Sequence, residues 1–129
     1  MQSVTFKSPD DGSRLTFEVT YRDKDEIAFN VSVHTSTFSG TAASSTFMVL
    51  PPDHMFQAMA DSWQGWKTPL TWSDLESRVS FESTCDSTGH VKITVKLTDI
   101  HFESYLYAVL RYEAGQLEGM ANELSSIFR

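Results

Sequence analysis

Apolar and polar side chains alternate strictly along much of the first third of the chain. From Arg14 to Arg22, Leu15, Phe17, Val19 and Tyr21 fall on one side, with Arg14, Thr16, Glu18 and Thr20 on the other. A period of two is the signature of a half-buried strand. Ser8-Pro9-Asp10-Asp11-Gly12 precedes it as a turn, leading from a short opening strand around Val4 and Phe6. Asp23-Lys24-Asp25-Glu26 closes the next hairpin, after which Ile27, Phe29, Val31 and Val33 repeat the alternation. A further strand, rich in Ser and Thr, is expected from Phe38 to Leu50. The opening third is thus predicted to be an antiparallel meander.

The pattern then changes period. Pro51-Pro52-Asp53 breaks the strand, and Asp53 is expected to cap a helix whose apolar positions Phe56, Met59, Ala60 and Trp63 follow helical spacing. Trp63 is assigned to the core on that spacing. Gly65 is expected to end the helix, with Trp66 folded back near Trp63 or Trp72. Alternation resumes over Arg78–Thr84 and His90–Thr98, joined by a hairpin at Cys85–Gly89. Tyr105–Tyr112 is apolar at both parities, which predicts a central strand or one covered by a helix. From Ala114 a closing helix carries Leu117, Met120, Ala121, Leu124, Ile127 and Phe128 on one stripe. The expected fold is α+β: an antiparallel β-sheet meander with one inserted helix and a C-terminal helix packed on the sheet.

A length of 129 residues suits one domain, residues 1–129, with a core of its own. The start, Met1-Gln2-Ser3-Val4-Thr5-Phe6-Lys7-Ser8, lacks the basic and apolar regions of a signal peptide, and the longest apolar runs fall short of a membrane span. A cytoplasmic protein is the expectation. Cys85 is the only cysteine, so neither an intrachain disulfide nor a Cys-based zinc site is expected. A net charge of −7 disfavours a nucleic-acid partner and favours a basic protein partner, although acidity also simply keeps a protein soluble.

Candidate chemistry is sparse. Cys85 and His90 are close in sequence, but Asp86 and Glu82 are expected to raise the thiol pKa, which reads as an inert cysteine. Asp86, His90, His101, His34 and His54 match no metal-binding spacing, and the six glycines form no phosphate-binding loop. No metal or cofactor is implied. Glu76 and Glu113 sit beside apolar segments, where two carboxylates serve either as an acid–base pair or, singly, as helix caps or partners of Arg78 and Arg111. Trp66 and Trp72, in the connection after the helix, are equally open to packing and to recognition.

Four short segments carry a resemblance. Trp63-Gln64-Gly65-Trp66, Trp72-Ser73-Asp74-Leu75-Glu76, Asp86-Ser87-Thr88-Gly89-His90-Val91 and Glu113-Ala114-Gly115-Gln116-Leu117 together resemble a bacterial domain family of unknown function. The layout is also similar to small immunity proteins of the wall-associated-protein type, which neutralise toxins of polymorphic toxin systems. That resemblance implies a toxin-binding protein, and the net charge makes a basic toxin domain the expected partner, met through the acidic hairpin residues Asp10, Asp11, Asp23, Asp25 and Glu26. The alternative is a small-molecule-binding or enzymatic domain. Its pocket is expected between sheet and inserted helix, lined by Trp66, Trp72, Tyr105 and Tyr107, with Glu76 or Glu113 as its polar group. A homodimer built on an uncovered sheet face or edge strand is compatible with either.

Overall fold

The computed structural model describes residues 2–129. The alternating segments fold into β1 (Ser3–Lys7), β2 (Arg14–Arg22), β3 (Ile27–His34) and β4 (Ser39–Ser45), paired antiparallel in chain order. After α1 (Asp53–Asp61), β5 (Trp66–Ser73), β6 (Val79–Cys85), β7 (His90–Thr98) and β8 (Tyr105–Glu113) form a second antiparallel meander. A short 3-10 turn at Ala114–Gln116 leads into α2 (Leu117–Phe128). The class is α+β, as the periodicity predicts. The predicted single sheet is in fact two, of four strands each: β4 and β5, on either side of α1, do not pair, and the connection after α1 supplies the fourth strand of the second sheet.

The apolar sides of both sheets meet in one core with the helices. Leu15, Phe17, Val31 and Val33 come from the first sheet, Val79, Phe81, Ile93 and Val95 from the second, and Phe56, Met59, Leu117 and Leu124 from α1 and α2. The two helices pack on each other, α1 also touching β5 and α2 touching β1. They therefore close the core between those two edge strands. Tyr112 ties the layers together by donating its hydroxyl to the Phe6 carbonyl at 2.9 Å, and burial pushes its hydroxyl pKa up. Arg22 reaches from β2 to the carbonyls of Ile127 and Arg129, satisfying acceptors that the end of α2 leaves free.

Several local expectations are corrected by the structure. β4 stops at Ser45, and residues 46–52 form turns and an irregular run, tied to the start of β3 by Thr46, whose Oγ1 accepts from the Ile27 N–H at 2.9 Å. Asp53 does not cap α1. Pro52 holds the N-cap position, and Asp53 accepts instead from Ser125 Oγ on α2 at 3.0 Å. The helix ends at Asp61, so Trp63 falls beyond its last turn and is 58% exposed rather than in the core. Gly65 is required close by: its φ is +113°, and a Cβ there would lie 3.0 Å from the Asp86 carbonyl oxygen. Trp66 and Trp72 stand at the two ends of β5. Finally, β8 is an edge strand, and Tyr105, Tyr107 and Val109 face outward uncovered, whereas the both-parity apolar pattern predicts a central strand or one covered by a helix.

Candidate functional site

One end of the molecule gathers the β2–β3, β4–α1, β5–β6 and β7–β8 connections. A cleft of about 310 Å³ lies there between β4 and the β5–β6 turn, lined by Glu26, Ser44, Phe47, Asp74, Leu75, Glu76 and Arg78 among others. Its floor is Asp74, a buried carboxylate. Asp74 accepts from Ser44 Oγ at 2.6 Å, from the Arg78 N–H at 2.8 Å and from the Val79 N–H at 3.2 Å, joining the two sheets. Three donors explain how a charged group stays in the interior. At the rim, Ser45 donates to the Glu26 carboxylate, and Arg78 is 3.5 Å from Glu76 while lying over the Phe102 ring at 5.4 Å.

Large apolar side chains crowd the same end. Phe47, Met48 and Leu50 project from the β4–α1 loop, Leu75 from the β5–β6 turn, and Ile100 and Phe102 from the β7–β8 turn, all exposed. An exposed group of this kind beside a cleft marks a contact surface more often than a lone exposed side chain does. Among the described residues, the three non-glycine positions with positive φ are Met48, Ser77 and Phe102, each at 59°, one in each of those loops. L-residues adopt that conformation at a cost, and such positions concentrate at functional sites. The β2–β3, β5–β6 and β7–β8 connections at this end carry Asp23, Asp25, Glu26, Glu76, Asp99 and Glu103, against Lys24 and Arg78.

The expected site residues are distributed unequally. Glu26 and Glu76, assigned separately to an acidic surface and to a pocket, meet in this one cleft. Asp23 is occupied locally, accepting from the Asp25 and Glu26 N–H groups and from Tyr21 Oη, which holds its carboxyl below the ordinary value. Asp25 is exposed at the same hairpin. Asp10 and Asp11 belong to the turn at the other end of β2, where Asp11 accepts from the Ser13 N–H at 2.9 Å. The six pocket residues do not converge as a set, although Trp72 and Tyr107 both line a depression of about 370 Å³ on the second sheet. Trp72 is buried with its Nε1 donating to the Leu50 carbonyl at 2.6 Å, and Trp66 donates to the Ser83 carbonyl at 2.9 Å. Tyr105 and Tyr107 stand on the outer face beneath the Lys96 ammonium, and Glu113 lies at the far end opposite His90. The Glu76–Arg78 partnership is present as expected, and its distance from Glu113 leaves no carboxylate pair.

Phe47, Leu75, Ile100 and Phe102 were not singled out from the sequence. The available signal was an apolar residue lodged among turn formers, as in Asp74-Leu75-Glu76 and Asp99-Ile100-His101. At the opposite end, Trp63, Gln64, Ser87, Thr88, Gly89, Ala114 and Gly115 line a groove of about 570 Å³, bringing three of the four recognised segments together. Close backbone approach accounts for this, since Ala114 N–H bonds the Gly89 carbonyl at 2.9 Å. Cys85 is buried, and burial, then Asp86 and Glu113, push its thiol pKa up. The neighbour that matters besides Asp86 is therefore Glu113 rather than Glu82.

Residues 6–129 match the model described as Family of unknown function (DUF6228). The chain belongs to this family. No curated protein matches the DUF6228 chain. No helix among its described residues is long and apolar enough to cross a membrane.

The turns of this DUF6228 chain carry a pH prediction. Asp86 accepts from Thr88 Oγ1 and from the Thr88 and His90 N–H groups, with His90 Nδ1 at 3.2 Å, which holds its carboxyl well below the ordinary value. Asp11, Asp23 and Asp99 are lowered in the same way by backbone donors. A carboxyl with a lower pKa folded than unfolded stabilises the fold above its unfolded value and loses that contribution as pH falls through the folded one. Thermal melting is expected to hold level down to about pH 5 and then fall as pH drops below 3.8. Asp86→Asn should make the acid fall shallower, and an unaltered slope in that variant would contradict the assignment.

Proposed function

We propose that this chain is a protein-recognition domain that docks a basic partner on its apolar, carboxylate-rimmed end. The observation that carries this reading is the cleft in which Glu26 and Glu76 stand beside exposed Phe47 and Leu75. Apolar anchors supply contact area, and the surrounding carboxylates select a cationic surface and speed its approach. With the layout similarity to wall-associated-protein-type immunity proteins, the role we assign is that of a cytoplasmic bacterial immunity-type protein. Its action is to neutralise a basic toxin domain by covering it, and binding rather than catalysis is its task.

The test is kinetic binding of a basic toxin-like domain, purified on the immobilised protein, to wild type and variants. Phe47→Ala and Leu75→Ala are expected to weaken affinity about ten- to a hundredfold, chiefly through faster dissociation. Glu26→Lys and Glu76→Lys should slow association and flatten its salt dependence. Asp10→Lys and Asp11→Lys, at the other end of β2, should change little. Equal binding by all rim variants, or losses confined to Asp10 and Asp11, would remove this surface from the function.

A further inference from the structure

The second sheet ends in β5 on one side and β8 on the other, and the two edges differ. β5 carries Pro69 and a register irregularity between Trp66 and Leu70, both of which spoil a strand edge as a template for further pairing. β8 has neither. All nine of its residues pair with β7 without a shift, and among the described residues no strand pairs with its other side.

Two hydrogen bonds fix which groups face outward. The Ala114 N–H donates to the Gly89 carbonyl at 2.9 Å and the Asp99 N–H to the Ser104 carbonyl at 3.0 Å. These bonds flank the His90–Glu113 and Thr98–Tyr105 pairs, so neither pair bonds its members directly. With a period of two, the N–H and C=O groups of Tyr105, Tyr107, Val109 and Arg111 therefore point away from β7. Glu113 shares that phase, but its N–H is already taken by Gln116 Oε1 at 2.9 Å. On the outer face above this open backbone, Tyr105, Tyr107 and Val109 are 56%, 67% and 46% exposed.

We propose that the protein forms a two-fold dimer in which β8 pairs antiparallel with β8 of a second copy, merging two four-stranded sheets into one. The strand is complementary to itself. Centred on Val109, the pairing sets Tyr107 opposite Arg111 of the second copy and Tyr105 opposite its Glu113. Guanidinium over an aromatic ring is a favourable contact. At the Tyr105 end, the Lys96 ammonium lies 4.6 Å from the ring centroid, against 5.7 Å from that of Tyr107, so it leans toward the arriving carboxylate. A two-fold axis brings the aromatic half of one strand to the charged half of the other at both ends, which is why the occupant is a second copy. This inference is independent of the partner surface described above.

Sedimentation equilibrium of the full chain tests it. Wild type is expected at twice the 14.6 kDa chain mass at concentrations of about 100 μM, dissociating on dilution. Val109→Pro removes an outward N–H and no bond to β7, so it should sediment as a monomer. Tyr107→Lys, which places an ammonium opposite Arg111, should do the same and decides the matter if the proline variant fails to fold. Far-UV circular dichroism confirms that each variant tested is folded. A wild type that stays monomeric at about 100 μM, or folded variants that both remain dimeric, would overturn the proposal.

Discussion

Phe17→Ala is expected to destabilise the fold by about 3–5 kcal/mol in denaturant unfolding, a large part of the roughly 5–15 kcal/mol that a domain of this kind possesses. The side chain is fully buried, and its ring centroid lies 5.6 Å from that of Phe81, 6.0 Å from those of Phe6 and Phe56, 6.3 Å from Phe29 and 6.4 Å from Phe128. Those neighbours belong to β1, β3, α1, β6 and α2. Truncation therefore opens a cavity at the point where both sheets and both helices meet. No single neighbour can move to fill it without leaving its own layer, so little relaxation offsets the loss. Phe38→Ala, at a side chain 68% exposed, provides the control and should stay within about 0.5 kcal/mol of wild type. Comparable losses at the two positions would mean that the core is not centred on Phe17.

Asp74→Ala is the second large effect, expected at about 2–4 kcal/mol. Removing the carboxylate leaves Ser44 Oγ and the Arg78 and Val79 N–H groups without an acceptor in a buried place. An orphaned buried donor costs more than a hydrogen bond contributes, because water cannot replace the lost partner. Asp74→Asn keeps one acceptor oxygen and should lose less than Ala, although its amide faces at least one donor where the carboxylate accepted. Amide hydrogen exchange at Val79 should rise in the alanine variant. Because Asp74 also fixes the floor of the cleft, that variant should bind a rim partner more weakly even where it remains folded. Ala and Asn losing equally little would show that the carboxylate does not hold the two sheets together.

The strand alternations at β2, β3, β6 and β7 are legible in the sequence because each of these strands buries one face and wets the other. That condition writes itself into every second residue. β8 misled for a definite reason. Its outward Tyr105, Tyr107 and Val109 are apolar although they are exposed, so periodicity alone could not distinguish an uncovered edge from a central strand. β5 was hidden differently: its Lys67, Thr68 and Pro69 interrupt any apolar alternation, and only pairing with β6 makes it a strand. Trp63 had the right spacing for the core, but spacing carries no information on where α1 stops, and one turn decides whether that ring faces in or out.

The candidate site was legible in parts that the sequence had no means of joining. Glu26 and Glu76 were each visible as carboxylates in turns, yet they are 50 positions apart and belong to different sheets. Their meeting depends on the Ser44–Asp74 contact between β4 and the β5–β6 turn. By itself, then, the sequence determined the α+β class, most of the strands, the apolar stripe of α2 and the acidic balance, since these follow from local period and composition. Tertiary structure alone decided that the meander divides into two sheets, which edge stays open and which loops share an end. Those are outcomes of long-range packing, where the burial of one face of each element is satisfied by partners that no local pattern names.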